Sequence, residues 1–397
     1  MTDYVAGPPS LLRSINVRAV LQLFAGGQAL TRAEVAAASG LSKPTVSAAL
    51  THLVEHGLLA EVGLVAGRKG PAAQLYSVAA DAFLALGIDV GRQHLRVAAV
   101  DARGEIRARR TVPTPDTVRG IAERLAGLAD ELAEEIAGEA GADREVFLRT
   151  VVGLPGVVDP HGRTLRYAGG LPADGAGLVE ALVATLGDDI VLENDINLSA
   201  IVEGRSGAAG EVDDFVLLGL STGAGMGVVL GGRLHRGASG AAGEIGFIPG
   251  PGPAGAAPGE VVDDVLGSER IMEQAAAHGL PGLEPPAVFE LARRGDPRAL
   301  AVVDDTARTL AWVVATIVAV LDPQLVVLGG AVGGNGDLLV PAIERHLDGL
   351  TALSPTVVGS TLGSGAVLLG ALAVAEDLAR ELAFATAAAA PAPAERL

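Results

Sequence analysis

Residues 31–55, TRAEVAAASGLSKPTVSAALTHLVE, decide how the first part of the chain is read. Thr31, with Glu34 three positions on, has the form of a capping box. The pattern predicts a short helix over 33–39 and a turn at Gly40. Ser42 is the next N-cap and Pro44 fits the first turn, so a further helix runs to about His56. Val46, Ala49, Leu50 and Leu53 recur at helical spacing and face inward. Upstream, Ile15, Val17, Val20, Leu21 and Phe24 mark a helix over 14–24 that Gly26 and Gly27 stop. Downstream, 58–65 and 74–78 alternate as a hairpin around Gly67-Arg68-Lys69-Gly70-Pro71. The sum is three helices and a β-wing, a winged helix-turn-helix.

The outward face of the third helix is small, polar or basic, as contact with a major groove requires. Ser42, Lys43, Thr45, Ser47 and Thr51 are the expected DNA contacts, with Ala48 and His52 on the same face. Arg68 and Lys69 at the wing tip suit a minor groove or its flanking phosphates. A helical hairpin that merely packs against the body is the alternative, and the character of that face argues against it. His52 and His56, four apart on one helix, have metal-ligand spacing. No third ligand stands near them, so they read as polar surface.

With 397 residues the chain needs two or three domains. Hydrophobic content of 49% and a mean hydropathy of +0.42 allow a large core and exclude global disorder. The longest strongly apolar run, 311–321, is far shorter than the ~20 residues that span a bilayer. No signal peptide is visible, and a cytoplasmic location is expected. There is no cysteine, so disulfides and thiolate zinc sites are excluded. The net charge of −18 is unevenly spread. Up to Ala80 there are six basic and four acidic residues, a balance of +2 that leaves −20 on the remainder. An acidic body repels phosphate and confines DNA contact to the head.

From Phe83 the pattern changes. FLALGIDV and LRVAAVDARGEI read as a β-hairpin with Asp89 near the first strand's end. An amphipathic helix is expected over 121–137 and a buried one over 303–321. Strands are expected over 150–158, 190–192, 215–220, 228–230 and 325–328, and a last helix over 368–382. Alternating strands and helices imply an α/β body. The expected division is a head over 1–80, a first lobe over 81–192 completed by helix 368–384, and a second lobe over 193–367. The low-complexity segment 385–397, ATAAAAPAPAERL, is expected to be a flexible tail.

Four segments carry a family resemblance: VVGLPGVVDPHGRTL, VLENDINLSAIVEGRSG, STGAGMGVVLGGRLHRGASGAAGEIGFIP and LDPQLVVLGGAVG. On these the chain resembles the ROK family of sugar-responsive repressors, open reading frames and sugar kinases. The head resembles the winged helix of the repressor branch. The resemblance implies a two-lobed, actin-like ATPase (sugar kinase-like) α/β body with a cleft between the lobes.

The resemblance also assigns roles. The first phosphate loop of family kinases, Asp-x-Gly-Gly-Thr, stands here as Asp89-Val90-Gly91-Arg92-Gln93. One glycine survives, and a side chain stands where phosphate approaches. Thr222, Gly223 and Gly225 match the second loop, whose amides cradle phosphate; such glycines also permit a ligand-free turn. Asp195 aligns with the family's general base. Its other reading is an Asp that only binds ligand or caps a helix. Gly170, Asn194, Asp195, Glu244 and Asp263 are the expected effector-binding residues, since carboxylates and amides pair with vicinal hydroxyls. The family's metal-linked histidine is Phe247 here, and its zinc cysteines are replaced by PGPAGAAPG. No metal and no cofactor are expected, and no catalysis beyond a vestigial base at Asp195.

The resemblance thus implies a regulator, most simply a repressor. Its partners would be double-stranded operator DNA and a carbohydrate-like effector, with a homodimer or higher even oligomer and no membrane. The alternatives are an active ATP-dependent sugar kinase with a DNA-binding head, and an architectural DNA binder blind to ligand.

Overall fold

The computed structural model describes residues 9–65, 72–138, 146–161, 164–249 and 260–389. The head consists of α1 (Pro9–Gln22), β1 (Leu30–Thr31), α2 (Arg32–Ser39), α3 (Lys43–Glu55), β2 (Leu59–Val65) and β3 (Ala73–Val78). The capping box forms as the sequence requires. The Thr31 amide donates to Glu34 Oε2 at 2.7 Å while Thr31 Oγ1 accepts from the Glu34 amide. Gly40 ends α2 at φ +68, a left-handed conformation that favours glycine. Ser42 caps α3 by accepting from the Thr45 amide. The strands form an antiparallel sheet in the order β1-β3-β2, with the two-residue β1 as an element that hydrophobic periodicity did not signal. Phe24, Leu50 and Leu53 are fully buried. Each contributes roughly 1.5–3 kcal/mol by leaving water.

The body is one plan built twice. β4 (Leu84–Val90), β5 (His94–Asp101) and β6 (Ile106–Pro113) form an antiparallel meander. α4 (Val118–Ala137) leads to β7 (Phe147–Leu154), parallel to β4. A small hairpin, β8 (Val157–Val158) and β9 (Leu165–Arg166), and α5 (Leu178–Leu186) precede β10 (Val191–Asn194), parallel to β7. The order is β10-β7-β4-β5-β6.

α6 (Asp195–Ser206) then crosses to the second sheet. There β11 (Phe215–Leu220), β12 (Ala224–Leu230) and β13 (Arg233–Leu234) repeat the meander. α7 (Val262–Val265), α8 (Ser268–Ala277), α9 (Pro285–Arg293) and α10 (Pro297–Leu321) lead to β14 (Leu325–Gly329), parallel to β11. α11 (Gly330–Gly333) and α12 (Gly336–Leu347) lead to β15 (Val357–Gly359), parallel to β14. The order β13-β12-β11-β14-β15 matches the first sheet strand for strand. The first hairpin turn of each sheet carries a glycine loop, one at Gly91 and one at Gly223.

α13 (Ala366–Ala389) returns to the first lobe and lies under its sheet. A Cβ on Gly87 of β4 would come 2.8 Å from Leu372, and one on Gly370 would come 2.0 Å from the Leu198 carbonyl of α6. α13 extends to Ala389, so 385–389 are helical where a flexible tail was expected over 385–397. Alanine favours the helix, and Ala387 is buried in the core that α13 shares with the head. Residues 390–397 lie outside the described part.

That core is continuous. Val17, Phe24, Val46 and Leu53 of the head belong to one apolar cluster with Ala85, Leu372, Ala375, Ala379 and Ala387. Arg18 pairs with Glu381, and its guanidinium lies 5.9 Å from the centre of the Phe384 ring. Arg103 Nε donates to the Val78 carbonyl at 2.9 Å, tying β3 to the β5–β6 turn. No described helix is long and apolar enough to cross a membrane.

Candidate functional site

Among the head residues proposed to meet DNA, Ser42, Lys43 and Thr51 are exposed and Thr45 and Ser47 are half-buried. Ser42 Oγ and Thr45 Oγ1 lie 2.8 Å apart, so these hydroxyls bond to each other in the free protein. Arg68 and Lys69 lie outside the described residues. His52 departs from the expected outward face. Its ring lies 4.1 Å from that of His56 and is turned toward the backbone of Ala387 on α13. Burial, with His56 adding repulsion, lowers its pKa.

The cleft is built at the end of β4 and the start of α6. Asp89 is buried on β4, directly opposite Arg96 of β5. Arg96 Nη1 donates to its carboxylate at 2.7 Å. Burial raises the pKa of Asp89, and the Arg96 bond opposes the rise. The turn is closed by Gly91, whose amide donates to the His94 carbonyl at 3.0 Å. Thr114 Oγ1 donates to the Gly91 carbonyl at 2.7 Å and pins the turn to β6. Arg92 is exposed on this turn, and its side chain leans across to the first-lobe loop. It packs on Gly170, where a Cβ would come 2.6 Å from Arg92 Nε.

Asn194 caps α6. Its Oδ1 accepts from the Asn197 amide and its Nδ2 donates to the Gly156 carbonyl, each at 2.9 Å. Part of its hydrogen-bonding capacity is therefore already used to hold the 156 turn. Glu193 anchors the same region: Oε1 accepts from Asn194 and Asn197, and Oε2 pairs with Arg236 of the second lobe at 2.6 Å. Asp195 is half-buried, and its Oδ1 accepts from the Ile196 amide at 2.8 Å. Burial first, then the neighbouring Asp89 and Glu244, raise its pKa to about 7 against the pull of the Ile196 amide and Arg92. A carboxyl that titrates there can carry or release a proton near neutrality.

The second loop is held from below. Asp263 Oδ1 accepts from the Ala224 amide at 2.8 Å, and a Cβ on Gly223 would come 3.1 Å from the same oxygen. A cradle amide of the loop is thus taken by a carboxylate of the chain itself. Ser268 donates twice to the Ser221 carbonyl, through its amide at 3.0 Å and its hydroxyl at 2.9 Å. Thr222 is exposed. Gly225 lies within β12, where a Cβ would come 3.0 Å from Ile196 of α6. Glu244 is half-buried, and burial followed by Asp263 raises its pKa.

Asp89, Asp195, Glu244 and Asp263 therefore share one electrostatic neighbourhood, with Arg92 at its edge. Gly170 joins it through Arg92, and Asn194 supports its floor. Arg92, Arg236, Tyr167 and Phe247 were not among the expected site residues. For Arg92 the signal was its position inside the first loop, and for Phe247 its place at the family's metal-linked histidine; nothing in the sequence distinguished Arg236 and Tyr167.

A DNA-reading head sharing its core with a kinase-type cleft is the build of a ligand-responsive transcription regulator. The ROK family pattern matches residues 85–378, and an IclR helix-turn-helix domain matches residues 16–63. The chain belongs to the ROK family. It is 27% identical over 358 residues to the N-acetylglucosamine repressor of Escherichia coli O6:H1, covering 86% of each chain. It is 34% identical over 257 residues to the N-acetylmannosamine kinase of Escherichia coli O1:K1, covering 62% of this chain and 83% of that one. The crystal structure of a ROK family transcriptional regulator, a homologue of the E. coli MLC protein, superposes with a TM-score of 0.76 at 21% identity. The match covers 95% of this chain and 99% of that one. Family members of both kinds, regulators and kinases, are thus similar to this chain, which is a DNA-binding transcriptional regulator by its head and its regulator-type relatives.

Proposed function

We propose that this chain is a repressor whose hold on operator DNA is set by a sugar bound between the lobes. The observation that carries this is the continuous core from α3 through α13 to β4. α13 touches α6 at Gly370, and α6 begins at Asp195. A ligand that changes the lobe angle acts on the start of α6, one turn from this contact, and, through α13, on the head. Ser42, Lys43, Thr45, Ser47 and Thr51 enter the major groove, and Arg68 and Lys69 meet the minor groove or its phosphates. Gly170, Asn194, Asp195, Glu244 and Asp263 line the effector pocket. The names of the relatives point to N-acetylated hexosamines as first candidates, with glucose as the plain hexose for comparison. A homodimer gives two heads, which read half-sites spaced by whole turns of roughly 34–36 Å.

The kinase reading draws on Asp195, whose pKa near neutrality suits a general base. Three features weigh against it. Arg96 holds Asp89, Arg92 stands in the first loop, and Asp263 takes the Ala224 amide of the second. We therefore assign regulation and no phosphoryl transfer.

The test is fluorescence anisotropy with a DNA duplex selected by the protein from a random pool. Titrations run with and without N-acetylglucosamine, N-acetylmannosamine and glucose. One sugar should change operator affinity about 5–150-fold, and DNA should change the affinity for that sugar by the same factor. Phosphorylation of any of these sugars from ATP, lost in Asp195→Asn, would establish the kinase instead. Equal operator affinity with all three sugars would remove them as effectors.

A further inference from the structure

Aromatic side chains are scarce in this chain: seven Phe, three Tyr and one Trp. Among the described residues two of them are exposed, Tyr167 at 63% and Phe247 at 53%. These two rings meet edge to face with centroids 5.1 Å apart. They come from different lobes. Tyr167 follows β9 of the first, and Phe247 ends the turn that starts at Glu244 in the second.

Tyr167 has φ +57, the left-handed region that a bulky side chain rarely adopts. Its segment is pinned across the cleft by Arg166, whose Nη2 donates to the Ser239 carbonyl at 3.0 Å. Asn194 holds the Gly156 carbonyl. A Cβ on Gly156 would come 2.7 Å from the Arg166 carbonyl and 3.0 Å from Ala168. The peptide of Tyr167 therefore lies against the 156 turn. On the other side the Phe247 amide donates to the Glu244 carbonyl at 3.3 Å. The ring pair is thus tied on one side to the turn that Asn194 holds and on the other to the backbone of Glu244.

We infer, taking the sugar effector proposed above as given, that Tyr167 and Phe247 receive a second ring carried by a glycoside whose first ring is held by the carboxylates. Hydroxyls of the first ring donate to Asp195 and Glu244. A flat, C–H-rich or aryl face on the aglycone side stacks on the exposed rings. The ligand class is a ring-bearing glycoside in preference to a free monosaccharide. Both a second pyranose and an aryl group present that face.

The test is calorimetric titration of the full chain with methyl and phenyl β-glucoside, cellobiose, and the matching N-acetylglucosamine derivatives with chitobiose. Wild type, Tyr167→Ala, Phe247→Ala and Asp195→Asn are compared. Both rings are exposed, and thermal unfolding checks that the variants stay folded. In one series the phenyl glycoside or the disaccharide should bind roughly 3–10-fold tighter than the methyl glycoside. Whichever exceeds the methyl glycoside identifies the second ring. Tyr167→Ala and Phe247→Ala should each remove most of that preference, while Asp195→Asn weakens all ligands of the series. Equal affinity for methyl, phenyl and disaccharide ligands, or a preference that survives both ring truncations, overturns the stacking assignment and leaves the effector reading standing. Binding of none of these ligands overturns both.

Discussion

Arg96 stands directly opposite Asp89 in the β4–β5 pair and donates to its carboxylate at 2.7 Å. The Asp89 side chain is almost wholly buried, whereas that of Arg96 is about a quarter exposed. Arg96→Leu leaves a buried carboxylate with its cation gone. Urea unfolding near neutral pH should show a loss of about 2–3 kcal/mol. The double variant Asp89→Asn, Arg96→Leu removes the orphaned charge and should recover most of that loss. A double variant as unstable as Arg96→Leu would show that packing, not the ion pair, holds this position.

Asp195 gives the fold a pH dependence. Its folded pKa is raised to about 7, above the unfolded value of about 4. The folded protein therefore holds this proton more tightly than the unfolded chain. Its contribution to stability is complete below about pH 4, falls as pH rises and levels off above about pH 7. Asn cannot ionise and has no such loss. Solvent reaches this half-buried carboxyl and screens part of the effect. The stability of Asp195→Asn relative to wild type should thus improve by roughly 1–2 kcal/mol between about pH 4 and pH 8. Chemical unfolding at the two pH values measures it. A constant difference would show that Asp195 is an ordinary carboxylate.

The head was legible because its signals are local. A capping box, a left-handed glycine and apolar residues at helical spacing each act within a few residues, and all formed where the sequence put them. The family segments likewise fell on the β10–α6 junction and the β11–β12 turn. What the sequence hid was contact between distant residues. Arg92 reads only as a side chain standing where phosphate approaches until Gly170, 78 positions away, is seen packed against it. The alanines at 385–389 read as a tail because alanine carries no amphipathic signal. Only the head lying against them gives Ala387 a reason to be ordered. His52 reads as part of the outward face for the same reason.

Gly370 lies at a close crossing between α13 and α6. A Cβ there would come 2.0 Å from the Leu198 carbonyl, a backbone atom that no side-chain rotation can move. Gly370→Ala must therefore push the two helices apart. Alanine favours the helix by up to about 1 kcal/mol, but overpacking of this kind costs typically 1–3 kcal/mol. Urea unfolding should show a net loss, and Gly370→Val a larger one. If Gly370→Ala is as stable as wild type, the crossing yields easily and is a poor relay.

The end of α13 should carry the signal between cleft and head. Arg18 meets both Glu381 and Phe384 there, and Ala387 is buried in the shared core. A chain ending after Arg380 keeps the part of α13 under β4 and loses these three residues. The cleft should still bind sugar in calorimetry, because Asn194 and Asp195 lie at the N-terminal end of α6, away from the cut, and Glu244 lies in the turn after β13. The head should lose its dock and become open to limited proteolysis near residue 80. The sugar should then change operator affinity by a factor close to one, against about 5–150-fold in the full chain. Arg18→Ala alone is the control. Its ion pair is about half exposed, and such pairs are worth under about 1 kcal/mol, so most of the coupling should survive. A truncated chain that keeps the full sugar response would show that the signal reaches the DNA by another route, such as the contact of Arg103 with Val78.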